Sequence, residues 1–198
     1  MDLASRSRTT GPIKIVGVGN LVRWKNWHLL IKALAQLDEA LRNQIHISIW
    51  GPELDEPDAK AYAAELKALI HETHTEKHVS LEGPTHSVQE KITSADLFAL
   101  PSTNEPCSVA LMEALALGVP AIVSKSGGNI DIVKDGETGL FFEPDNANSL
   151  SATLARIVES NTCQFSSPEE IRESVRHRCA SKVWSAYEAI YENLLSKP

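Results

Sequence analysis

Cysteine is scarce in this chain, and the little there is forms no pattern. Cys107, Cys163 and Cys179 are odd in number and lack C-x-x-C spacing. This argues against a disulfide framework or a zinc site and predicts a reducing, cytoplasmic setting. A basic surplus is also lacking. The formal charge is −7 and the pI about 5.5, so no general positive field exists to hold nucleic acid or an anionic membrane. Any anionic ligand must be held by local features. Long apolar runs are missing too. The opening MDLASRSRTT has no signal-peptide core, and no run approaches the ~18 residues of a membrane span. No internal repeat or low-complexity segment occurs.

What remains is ordinary for a soluble globular fold: 198 residues, 42% apolar and 23% charged. That length suits one domain with an appended tail. Residues 1–12 read as a polar linker, 13–160 as the domain and 161–198 as a helical tail.

Short apolar runs alternate with segments of helical period. Strands are predicted at 13–18, 45–50, 78–81, 97–101, 120–124 and 139–143. Helices are predicted at about 26–41, 57–75, 86–94, 108–117, 129–135 and 147–160. Six strands alternating with helices predict a doubly wound, Rossmann-like parallel sheet with helices on both faces. Most of the strands read as apolar throughout, as buried parallel strands do. In the tail, Ser167-Pro168-Glu169-Glu170 forms a capping box with proline at the first helical position. Beyond it, Trp184, Tyr187, Tyr191 and Leu194 share one helical face. Core packing is the usual reason for such a stripe; docking on a domain outside this chain is the other.

Several motifs fail on spacing. Gly17-Val18-Gly19 follows a strand, but Val22 stands where G-x-G-x-x-G needs its third glycine. His71, Glu72 and His74 give H-E-x-H, one residue short of a zinc motif, and a solvated helix end explains them better. Glu105 and Glu113 lie about 12 Å apart along a helix axis, a poor match to the separation across a sugar ring in a glycosidase.

The pair reads better from its position. LFALP is a buried strand, STNEPCS its exit loop, Ser108 an N-cap and VALMEALAL the following helix. Ligands of open parallel sheets bind outside the carboxyl ends of the strands. There the free N–H groups of Val109, Ala110 and Leu111 are suited to a phosphate. Glu113 leans back toward the same crevice and can accept from a vicinal diol such as a ribose. Pro106 leaves Glu105 on the loop, at the crevice mouth. The first strand's exit adds Arg23 and Lys25 as candidate cations. Trp24 and Trp27 are read as shielding a helix.

With these residues in view, the chain resembles the C-terminal domain of glycosyltransferase family 4, retaining sugar-nucleotide transferases of the GT-B type. The resemblance runs from about Ile13 to Ile157. It rests on an ordered set: the loop Val18 to Lys25, Trp50-Gly51-Pro52, Val79 to Gly83, ADLFALPS, Glu105-x7-Glu113 with EALALGVPAIVS, SGG-x-x-D, and DGETGLFFEPD. It implies that Lys25 binds the donor pyrophosphate and Glu113 the ribose. Glu105 and the backbone of Cys107 and Ser108 would hold the donor sugar. The amides of Val109 and Ala110 would take the distal phosphate, and the main chain near Thr85 the base. Lys25 and Glu105 are thus the candidate catalytic residues.

Two stretches, three residues in all, depart from the family pattern. Asn20 stands where an arginine follows Val-Gly, with Arg23 as its possible substitute, and Cys107-Ser108 replaces Phe-Gly. The resemblance implies a nucleotide-sugar donor, UDP-sugar first and GDP- or ADP-sugar next, with no metal. It also implies an acceptor glycan or lipid-linked sugar held by an N-terminal Rossmann domain outside these residues, with any membrane contact belonging to the full enzyme. Two further readings are a non-catalytic nucleotide-sugar-binding module and a phosphorylase of the same fold carrying pyridoxal phosphate.

Overall fold

The computed structural model describes residues 11–159 and 165–195. Its centre is a six-stranded sheet of β1 (Ile13–Val18), β2 (Ile45–Trp50), β3 (Val79–Gly83), β4 (Leu97–Leu100), β5 (Ala121–Ser124) and β6 (Gly139–Phe142). All neighbours pair in parallel in the order β3-β2-β1-β4-β5-β6. The order reverses between β1 and β4, so the exit loops of these adjacent strands diverge and leave a crevice between them.

The helices are α1 (Trp27–Ala35), α2 (Glu39–Arg42), α3 (Pro57–Glu72), α4 (Val88–Thr93), α5 (Val109–Ala116), α6 (Asn129–Ile132), α7 (Ala147–Glu159), α8 (Pro168–Val175) and α9 (Ala180–Leu195). One sheet face buries Ile15, Ile47 and Ile49 against α1, α3 and α7. The other buries Val16, Phe98, Leu100 and Val123 under α4, α5, α6 and α8. The predicted doubly wound Rossmann-like sheet is therefore the observed one.

The differences have local causes. β4 and β5 are buried throughout, but β2 alternates and β1 is broken once near its start, with Lys14 and His46 exposed. Over this part of the second face lies the short, six-residue α4. It leaves an open cavity of about 490 Å³ beside Lys14, His46, Trp50 and Lys91. The helix expected over 26–41 is two helices, because the Asp38 carboxylate accepts from the Leu41 amide at 2.8 Å and caps a new turn. The helix expected over 129–135 stops at Ile132. Val133 is extended, and the Lys134 amide donates to the Thr138 hydroxyl at 2.9 Å instead of continuing the helix.

In the tail, the capping box forms as read: Ser167 Oγ accepts from the Glu170 amide, and the Glu170 carboxylate accepts from the Ser167 amide. Ile171 and Val175 of α8 are buried in the second core with α5. The stripe on α9 does not follow. Trp184, Tyr187, Tyr191 and Leu194 are each more than half exposed, so core packing among the described residues is not what the stripe does.

Candidate functional site

The site is built at the carboxyl ends of β1, β4 and β5. After β1 the chain makes a turn fixed by Trp27, which is wholly buried and donates its indole N–H to the Asn20 carbonyl at 3.0 Å. A Cβ on Gly17 would strike the Trp27 ring. That glycine is therefore explained by packing, without a dinucleotide. Asn20 itself is exposed. The turn then forms a 3-10 helix over Arg23–Lys25, ended by Asn26 in the left-handed region (φ 56°).

Lys25 is the residue this turn delivers. Its ammonium donates to Glu105 Oε2 at 2.7 Å, and both side chains are about nine-tenths buried. It also lies 4.3 Å from the Trp24 ring centroid, a cation–π distance. The two glutamates of the E-x7-E motif therefore differ in setting. Glu105 is buried and paired on the loop, three residues before the N-cap, whereas Glu113 is half-buried on α5 itself.

Ser108 caps α5 through its hydroxyl, which accepts from the Leu111 amide at 3.2 Å. The amides of Val109 and Ala110 head the helix, where the dipole presents the equivalent of roughly half a positive charge. Val109 is 63% exposed, so nothing described covers that end. Cys107 is exposed on the preceding loop. Thr85 lies in the exit loop of β3, where its hydroxyl accepts from the Ser87 amide. Glu113 lines a cavity of about 370 Å³ together with Val109, Met112, Arg172 and Arg176.

Arg23 goes elsewhere. Its guanidinium is bidentate on Glu65, at 2.7 Å to each oxygen, and bonds Asp58 at 2.9 Å. It also stands over the Tyr62 ring. These partners hold the arginine more firmly protonated than usual, Glu65 first. Asp58 and Glu65 are seven residues apart on α3, on one face at two turns. In this state Arg23 braces the turn on α3, so to substitute for the arginine absent at Asn20 it must first leave Asp58 and Glu65.

Sequence reading missed what holds the loop of Glu105. A Cβ on Gly127 would meet the Glu105 carbonyl oxygen, and one on Gly128 that of Pro106. The Gly128 amide donates to the Glu105 carbonyl at 2.8 Å. The signal was present in SGG-x-x-D, two adjacent glycines after a buried strand.

The comparisons with known proteins fit this geometry. A family model described as "Glycosyl transferases group 1" matches residues 3–178. The chain belongs to this family. It is 30% identical over 176 residues to a putative colanic acid biosynthesis glycosyltransferase, WcaL, of Escherichia coli K12, covering 84% of this chain and 41% of that one. It is 25% identical to the N-acetyl-alpha-D-glucosaminyl L-malate synthase of Bacillus anthracis, covering 91% of this chain and 45% of that one. Among solved structures, Anabaena Alr3699/HepE in complex with UDP-glucose superposes with a TM-score of 0.75 at 24% identity. That match covers 94% of this chain and 49% of HepE. The group 1 glycosyl transferase chain described here thus spans less than half the length of these curated relatives.

Proposed function

We propose that this chain is the donor-binding half of a retaining glycosyltransferase that uses a nucleoside diphosphate sugar, a UDP-sugar first. The observation that carries the reading is the buried Lys25–Glu105 pair at the head of α5. The pair joins a cation to a hydrogen-bond acceptor on the loop that leads into α5, and with the first amides of that helix these are the parts that a diphosphate and the sugar attached to it need. A relative's structure in complex with UDP-glucose supports the uridine choice.

In the reaction, the bond from the anomeric carbon to the distal phosphate oxygen breaks. The nucleoside diphosphate leaves with the electron pair, and a bond forms to the acceptor oxygen, whose proton departs. Lys25 and the amides of Val109 and Ala110 stabilise the charge growing on the leaving phosphate. Glu105 receives hydroxyls of the sugar and Glu113 those of the ribose. The acceptor, a glycan or lipid-linked sugar, is held by the part of the protein outside this chain.

Calorimetric titration with uridine and UDP, in buffer containing chelator, tests the assignment. Glu113→Ala is expected to weaken both ligands. Lys25→Ala should spare uridine and weaken UDP by roughly 10–100-fold, the scale of a hydrogen bond to a charged group. Because it leaves Glu105 buried without its partner, a second variant is needed. Glu105→Gln releases Lys25 from its carboxylate and should leave UDP affinity equal or higher. Equal losses of uridine and UDP in Lys25→Ala, or a Glu105→Gln that loses UDP, would overturn the reading.

A further inference from the structure

Three side chains that the reading above leaves unused join three exit loops beside the Lys25–Glu105 pair. Asn26 follows Lys25 at the end of the β1 loop, Thr103 precedes Glu105 by two residues in the β4 loop, and Asp145 lies in the β6 loop. Asn26 Nδ2 donates to Thr103 Oγ1 at 2.6 Å and to Asp145 Oδ1 at 2.8 Å. Thr103 Oγ1 donates in turn to the same Asp145 oxygen at 2.8 Å. The circuit closes: both amide hydrogens and the hydroxyl proton are used, and the acceptors are a hydroxyl and a carboxylate.

Backbone conformation marks the same place. Among the described residues, four that are not glycine have positive φ, and three of them are Asn26, Asn104 and Asp145 at 55–56°. Such residues cluster where function fixes a loop in a shape that ordinary sequence would avoid. At Asn26 a glycine would meet the backbone requirement more easily, yet it would lose the amide that closes the circuit.

We infer that Asn26, Thr103 and Asp145 form a clasp that positions Lys25 against Glu105, and hence against the donor diphosphate. This rests on the donor-site reading above. The clasp ties the residue after Lys25 to the residue two before Glu105, so the separation of the two charged groups is set by its hydrogen bonds. Its members act through Lys25 and Glu105 and are positioning residues. Asp145 fixes the arrangement from a third strand, two places along the sheet from β4.

The test compares UDP with uridine on the 198-residue chain by NMR or calorimetric titration. Asn26→Gly keeps the left-handed turn and removes the amide; Asp145→Ala removes the shared acceptor, and Asp145→Asn retains it. The first two should each weaken UDP by about 3–10-fold, on the scale of one or two lost hydrogen bonds, with uridine unchanged. Asp145→Asn should stay within about twofold of the natural chain, because its Oδ1 can still accept both bonds. Adding Asn26→Gly to Lys25→Ala should cost nothing further, since positioning an absent lysine has no effect. Parallel losses of uridine and UDP, or a loss that adds in full to that of Lys25→Ala, would overturn the clasp. If Lys25→Ala itself leaves UDP binding intact, the donor-site reading fails. If Lys25→Ala weakens UDP while Asn26→Gly does not, the clasp alone fails.

Discussion

At the scale of single residues, burial shifts the titration of His28 and Tyr62, and hydrogen bonding that of Glu65. His28, two residues after Asn26, meets the Tyr62 hydroxyl with both its backbone N–H, at 3.2 Å, and its ring Nδ1, at 3.0 Å. Burial pushes the Tyr62 phenol up to about 12. Burial also lowers the pKa of His28 below its ordinary value, and the charge of Lys32 adds to this. Below pH ~6.5 the unfolded chain therefore takes up a proton at His28 that the folded chain refuses, so stability falls as pH drops through that value. Glu65 acts lower on the scale. Its hydrogen bonds from Arg23 depress its pKa, so its contribution is present above the usual carboxylate range and is lost as pH falls through its lowered folded value. The melting temperature should thus decline from pH 7.5 to 5.5, and His28→Gln should flatten that decline. A variant whose thermal profile over this window parallels that of the natural chain would show that His28 titrates as freely folded as unfolded.

Secondary-structure elements were legible where a local rule sufficed. The six strands were readable because each is a short run rich in apolar residues, β-branched or aromatic among them, closed by glycine, proline or polar residues. The head of α5 was readable because Ser108 precedes a helical run, and a hydroxyl at that position finds an amide by geometry alone. The split at Asp38 and the early end of α6 were harder, since each turns on one side chain outcompeting the next helical hydrogen bond. The fate of Arg23 could not be read from its own loop, because its partners Asp58 and Glu65 arrive on a helix 35 and 42 residues later. Asn26, Thr103 and Asp145 escaped for the same reason: only the sheet order brings their loops together. Packing of one loop on another gives the element-scale test. Gly128 has ordinary helical φ (−69°), so alanine there is free of backbone strain, but its Cβ would meet the Pro106 carbonyl. Gly128→Ala should therefore displace the Glu105–Ser108 loop, lowering stability by about 1–3 kcal/mol, the usual cost of overpacking. UDP affinity should fall with it. Unchanged urea midpoint and unchanged UDP affinity together would show that the two loops can part without consequence.

For the whole molecule, the issue is what α9 is for. Trp184, Tyr187, Ile190, Tyr191 and Leu194 are 55–68% exposed along one helix, and an aromatic and aliphatic surface of this kind marks an interaction site. The curated relatives are more than twice as long as the part of them this chain covers, and in those proteins the remaining polypeptide is a surface such a stripe could meet. If the stripe docks on an upstream acceptor-holding domain, the present chain should bind a hydrophobic dye or self-associate. Trp184→Glu with Tyr191→Glu should abolish both while sparing UDP binding. The same geometry bears on chemistry. Orienting two reactants contributes ~7–11 kcal/mol to catalysis, and on the proposed function the crevice here supplies a wall for the donor alone. The 198-residue chain should therefore bind UDP-sugar yet transfer nothing, whereas a chain extended upstream should transfer and should lose that transfer with the double glutamate variant. Radiolabelled UDP-glucose and UDP-N-acetylglucosamine, offered with a panel of glycan and lipid-linked acceptors to each chain, decide the matter. Multiple-turnover transfer by the 198 residues alone would place the acceptor site on this domain and remove the need for α9 to reach beyond it.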